Sequence, residues 1–277
     1  MTRRGRQPEA EQFDLFTGGG TVEPAAAPAD APLCPETLSD EDVLGRIPNA
    51  RIADVRVLCR FAVERGLGDR AVPALEALWR RFRGFGHDRP LPEQTAVIET
   101  LAKLETAGAR QLLAEIATAH DLPPPLLPAA LSAALSASLR LPVHVLRSLL
   151  AHADPRIREL AARLSGFGQP DIGALAACLG DTQPAVQRAA AIVLGQFGHA
   201  AAKAILLSEL RRAPTGDIVE ALSAIADDDI IVHLGRCAAA HPALAGRIAA
   251  ELEGMETALS LKVARRIRDE LAEAGRS

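Results

Sequence analysis

The chain repeats itself. Asp154-Pro155-Arg156-Ile157-Arg158-Glu159-Leu160-Ala161-Ala162 aligns with Gln183-Pro184-Ala185-Val186-Gln187-Arg188-Ala189-Ala190-Ala191 at an offset of 29 residues. The match continues through Gly166 and Gly195, and Phe167-Gly168 returns as Phe197-Gly198 one residue later. Each copy is followed by a second, more aliphatic stretch, 172–179 and then 201–210. A weaker third copy runs from Asp217 through Ile225 into 230–234. A period near 30 holding two helical stretches leaves each helix pair with an apolar face that only its neighbours can cover, so the pairs must stack in a line as an α-solenoid. The remaining sequence agrees. From Ser39 to about Leu271 apolar residues recur at helical spacing without sustained two-residue alternation, and Gly, Pro or Asp divides the stretches. Aromatics are 3% of the chain and tyrosine is absent, so Ala and Leu fill the core. Such small, helix-favouring side chains suit close-packed helices and disfavour a sheet.

The run DPRIRELAARLSGFG at 154–168, followed by QPAVQRAAAIVLGQFG at 183–198, resembles the short bacterial HEAT repeat, written roughly D-P-x-V-R-x-x-A-A-x-x-L-G-x-x-G. The resemblance implies that Pro155 and Pro184 open helices, where a missing N–H costs nothing. It implies that the Ala positions let helices approach closely, and that the Gly lets the chain leave the helix in a left-handed conformation. The expected fold is all-α: a HEAT-like α-solenoid of antiparallel helix pairs over 39–273, clearest over 150–240. Residues 51–140 have helix pairs of suitable length but lack the D-P-x-V-R start, and the solenoid extends into them on periodicity alone.

Residues 1–38 differ from everything after them. Gly18-Gly19-Gly20, then Pro24, the alanines 25–27, Pro28 and Pro32 form a tract without an apolar period, which reads as a disordered tail. No apolar segment follows Met1-Thr2-Arg3-Arg4, so no secretory signal is expected. The uncharged stretch 122–139 carries Pro123, Pro124, Pro125 and Pro128 in its first third, which leaves a helix too short to span a bilayer. Cys34, Cys59, Cys178 and Cys237 form no CxxC pair and read as reduced thiols. The expectation is a cytoplasmic protein without membrane contact.

Few residues suggest chemistry. A HEAT-like di-iron hydroxylase is known by His-Glu dipeptides, and this chain has none. His87, His120, His144, His152, His199, His233 and His241 mostly stand singly near helix ends, and Asp227-Asp228-Asp229 reads as a helix cap. No phosphate loop or nucleophile elbow is present. No catalytic residue, metal or cofactor is therefore expected, and the chain reads as a non-enzymatic scaffold that binds a protein on its inner helices. The alternatives are a generic scaffold unrelated to DNA and a HEAT-like alkylpurine DNA glycosylase type, which cradles DNA on a basic face. The candidate nucleic-acid patch for the latter is Arg80, Arg81, Arg83 and Arg89, beside Trp79, Phe82, Phe85 and His87. From Arg51 to Arg89 nine arginines stand against five acids, although the whole chain carries −4.

In the tail, Gln12-Phe13-Asp14-Leu15-Phe16 resembles the pentapeptide with which bacterial proteins bind the DNA polymerase sliding clamp, commonly Q-L-[SD]-L-F. The resemblance implies that Gln12 hydrogen-bonds at the rim of the clamp groove while Leu15 and Phe16 enter its apolar pocket; Asp14 fits the polar middle position and Phe13 replaces the usual Leu. It makes the sliding clamp the expected partner and DNA replication or repair the setting. The other reading of Phe13, Leu15 and Phe16 is a hydrophobic cap on the solenoid end.

Overall fold

Helix starts are set by short polar side chains and by proline. The Ser39 hydroxyl accepts the Asp42 amide at 3.1 Å while the Asp42 carboxylate accepts the Ser39 amide, a reciprocal box at the first helix. Asp154, Asp171 and Asp227 accept amides of Arg156, Ala174 and Ile230 in the same way, and Pro155 and Pro184 open their helices as expected. Asp227 is thus a helix cap.

The computed structural model describes residues 38–274. The tail expected over 1–38, and with it Gln12–Phe16, lies outside the described residues apart from Leu38. The described residues fold into α1 (Asp40–Arg46), α2 (Ile52–Glu64), α3 (Val72–Arg81), α4 (Pro92–Leu104) and α5 (Ala107–Thr118). There follow α6 (Leu127–Ser136), α7 (Val143–Leu150), α8 (Pro155–Ser165), α9 (Ile172–Cys178) and α10 (Pro184–Gln196). The last are α11 (Lys203–Arg212), α12 (Gly216–Ala224), α13 (Asp228–Ala240), α14 (Pro242–Gly254) and α15 (Ala258–Ala274). No strand occurs among the described residues, so the fold is the all-helical solenoid the repeat requires.

The helices form two layers. In the even-numbered layer each helix packs on the next, from α2 through α4, α6, α8, α10 and α12 to α14. The odd-numbered helices pack against even ones and, as far as α13, touch one another less. The layer whose helices approach more closely lies inside the curve of a solenoid, so the even helices form its inner face. The core between the layers is aliphatic: Leu58, Leu75, Leu101, Leu113, Leu131, Leu164, Leu175 and Leu194 are almost wholly buried. The uncharged stretch supplies α6, only ten residues long after one tight turn at Pro124–Leu126. Its Ala130, Leu131 and Ala134 are buried in this core, which accounts for the absence of charge. Among the described residues no helix is long and apolar enough to cross a membrane.

The glycines of the repeat divide between a left-handed exit and close packing. Gly166 has φ −68° and Gly195 lies inside α10; of the repeat glycines it is Gly198 that turns left-handed, at φ +79°. Gly195 serves the packing instead. A Cβ there would stand 2.8 Å from Leu206 and 2.9 Å from both the Cβ and the carbonyl oxygen of Ala221, so the missing side chain is what lets α12 lie against α10.

Candidate functional site

Three inner helices line a groove on this face. Its volume is about 600 Å³, between α8, α10 and α12, with Leu135 of α6 at one side. One wall carries Glu159 and Arg163, one turn apart on α8, and the opposite wall carries Asp217 and Glu220 of α12. The floor between them is Ala189, Ile192 and Val193 of α10. Phe167 and Phe197 close the end at which α8 and α10 finish, and Phe197 is 42% exposed. A large apolar side chain left in solvent beside a concave surface is a feature of binding sites more than of bare surface.

The charges in this groove fall into two sets. Arg188 lies 3.5 Å from Glu209, a carboxylate buried beneath the floor that also accepts from Arg212 at 2.8 Å. Glu220 accepts from Arg247 at 2.9 Å. Glu159, Arg163 and Asp217 have no opposite charge within 4.0 Å among the described residues. A solvated charge facing into a groove without a partner of its own is available to a ligand at little cost in broken contacts.

A second, smaller groove of about 480 Å³ lies between α2 and α4. Arg56, Arg60 and Lys103 line it with Glu64 and Glu99, and Cys59 forms its base. Burial pushes the Cys59 thiol up to about 11, against a smaller opposing effect of its hydrogen bond with Thr100. Near neutral pH it is a packed thiol rather than a nucleophile. Cys178 and Cys237 are also free and buried. No group of three or more His, Cys, Asp or Glu side chains among the described residues is placed to hold a metal ion.

The arginine patch lies elsewhere. Arg80 and Arg81 end α3, in the outer layer, and Arg83 and Arg89 follow in the loop to α4. Arg80 pairs with Glu76 one turn back. Arg81 donates to the Ala50 carbonyl at 2.9 Å and lies 5.2 Å from the Phe82 ring centre. Arg83 donates to Asp121 at 2.7 Å, which holds that carboxyl below the usual carboxylate range. Only Arg89 of the four has no protein partner among the described residues, and Trp79 is half-buried. The structure therefore brings Arg80, Arg81 and Arg83 into internal ties and not onto the inner face. What sequence reasoning missed is the groove between α8, α10 and α12. The returning Phe-Gly was its one visible signal, since it repeats an aromatic at the ends of two neighbouring inner helices.

Residues 143–226 match the family model of HEAT repeats. The matched stretch is α7–α12, so all three principal walls of the larger groove come from it. No curated protein matches the chain.

Proposed function

We propose that this HEAT-repeat protein is a non-enzymatic scaffold of the bacterial cytoplasm that holds a protein partner on its inner helices. It attaches through Gln12, Phe13, Asp14, Leu15 and Phe16 to the DNA polymerase sliding clamp, in DNA replication or repair. The observation that carries the scaffold reading is the groove between α8, α10 and α12. It combines an aliphatic floor, an exposed aromatic and unpartnered charges, the mixture found in protein-recognition surfaces. The clamp reading rests on the motif: two large apolar residues beside Gln12 and Asp14, in a Pro/Ala/Gly-rich stretch, make a short anchor for a partner's pocket. The alkylpurine glycosylase reading has less support, because three of its four arginines already hold protein carboxylates or a carbonyl.

The test of the tether is a fluorescence-polarisation titration of a labelled peptide of residues 1–25 with bacterial sliding clamp. Burying Leu15 and Phe16 fully is worth about 1.5–3 kcal/mol each, so replacing both by alanine is expected to abolish binding. The same double change in the full chain should leave its helical circular dichroism unchanged. A wild-type peptide that fails to compete with an established clamp ligand at high micromolar concentration refutes the tether.

A further inference from the structure

We propose that the groove between α8, α10 and α12 takes a short extended segment of a partner protein that carries one aliphatic or aromatic side chain and one lysine or arginine. The inference rests on the scaffold reading and gives its partner a chemistry. Its apolar end is defined by Phe167 and Phe197, with Ile192 on the adjoining floor. Its polar end is defined by charge. Three carboxylates, Glu159, Asp217 and Glu220, face two guanidiniums, Arg163 and Arg188. Arg188 shares the buried Glu209 with Arg212, the lining carboxylates outnumber the lining guanidiniums by one, and Glu159 and Asp217 have no opposite charge within 4.0 Å among the described residues. The unmet charge is negative, and a cation is the complement. The same carboxylates repel a phosphate backbone, which favours a polypeptide over nucleic acid as occupant.

Spacing narrows the segment further. Glu159 and Phe167 are eight residues apart on and just beyond α8, about 12 Å at 1.5 Å per residue. An extended chain rises about 3.3–3.6 Å per residue, so the apolar and basic positions should stand three or four residues apart. A volume near 600 Å³ suits a few side chains rather than a folded domain.

The test selects phage-displayed random dodecapeptides on the immobilised full chain, then titrates a labelled synthetic copy of the enriched sequence by fluorescence anisotropy. The expected selection is an aliphatic or aromatic residue three or four places from Lys or Arg. Phe197→Ala, and separately Glu159→Gln combined with Asp217→Asn, should each weaken the titration at least tenfold. The peptide should bind more weakly as salt rises, and Arg110→Glu on the outer layer should change nothing. Circular dichroism melts confirm that each variant is folded, and the charge-removing pair remains informative should Phe197→Ala unfold. A selection that enriches nothing, or enriches acidic peptides, overturns the proposal. Binding that ignores both sets of groove changes also overturns it, and leaves the scaffold reading to the α2/α4 groove. The clamp titration with residues 1–25 is independent of every one of these results.

Discussion

The helices α7–α12 and α1–α6 build the same two-layer stack from different sequences. In the first set the turns are pinned by charge. Arg158 donates to both carboxylate oxygens of Asp181, at 2.7 and 2.9 Å, and to the carbonyls of His152 and Ala153. Asp181 in turn accepts the Gln183 amide at the entry to α10. One copy later Gln187 stands where Arg158 did, and its amide donates to the Asp181 carbonyl, so the turn is held from both sides. In the second set the ties are irregular: the ion pairs Arg65–Asp40, Arg70–Glu41 and Arg83–Asp121 stand beside ties that run from side chain to backbone. Gln94 donates to the carbonyls of Phe82 and Phe85, Arg81 to that of Ala50 and Arg65 to that of Leu38, while Asp69 accepts the Gly108 amide. The stack thus needs apolar faces and tied turns. It does not need D-P-x-V-R, which is one way of tying them.

If the shared core makes the two sets one body, the largest effects should be indifferent to which set is damaged. Leu194 of α10 and Leu101 of α4 are both almost wholly buried. Truncating either to alanine should cost about 2–5 kcal/mol. Because the even layer is continuous from α2 to α14, each variant should lower a single calorimetric transition. Two transitions, each moved by only one variant, would break the comparison and make the sets separate folding units. The next effect belongs to α7–α12 and its close packing. Gly195→Ala pushes a methyl against the Ala221 carbonyl, which cannot swing away, and should cost about 1–3 kcal/mol. Gly246→Ala, in α14 where the added carbon would meet none of the described residues beyond its own stretch of helix within 4 Å, should instead stabilise the helix by about 0.5–1 kcal/mol in the same thermal melts.

That contrast shows where the sequence was legible. The repeat offset, the opening prolines and the Asp and Ser caps act within a few residues of themselves, and so the all-helical stack could be read. The purpose of Gly195 could not, because a left-handed exit and a close helix contact both ask for a missing Cβ. The surroundings of the arginine patch were hidden for a related reason. A count of charge records Arg81 and Arg83 as unspent, but their partners lie 31 and 38 residues away in sequence. The groove drew one wall from the third and weakest copy, so Asp217 and Glu220 carried no recognisable pattern.

The charged tie can be tested by pH. Asp181 is held below the usual carboxylate range, chiefly by its hydrogen bonds from Arg158 and further by the Gln183 amide. A carboxyl lowered in the folded state stabilises it above the unfolded value near 3.8, and that contribution disappears as pH falls through the folded value. Arg158→Met should therefore melt below the wild type at pH 7, and the gap should narrow as the pH is taken below 3.8. The corresponding change in α1–α6, Gln94→Met, removes an uncharged tie, and its gap should stay constant over the same range. A gap for Arg158→Met that is also constant would mean that the pair with Asp181 contributes nothing to the tie.

The smallest effect concerns how the two sets leave their helices. After α10 the left-handed residue is Gly198, whereas after α4 it is Glu105 at φ +54°. An L side chain in this region costs about 1–2 kcal/mol, offset in part by the 0.5–1 kcal/mol of extra chain freedom that a glycine gives the unfolded state. Glu105 is exposed and its side chain has no hydrogen bond or ion pair among the described residues, so its replacement forfeits no such tie. Glu105→Gly should consequently stabilise the protein by about 0.5 kcal/mol. Gly198→Ala, with open space around the added carbon, should destabilise it by a similar amount through backbone conformation alone. Paired chemical-denaturation curves with equal slopes would read both shifts, and opposite signs are the expected result. Shifts of the same sign would mean that these two exits do not share the left-handed geometry, and that the likeness between the sets ends at their helices.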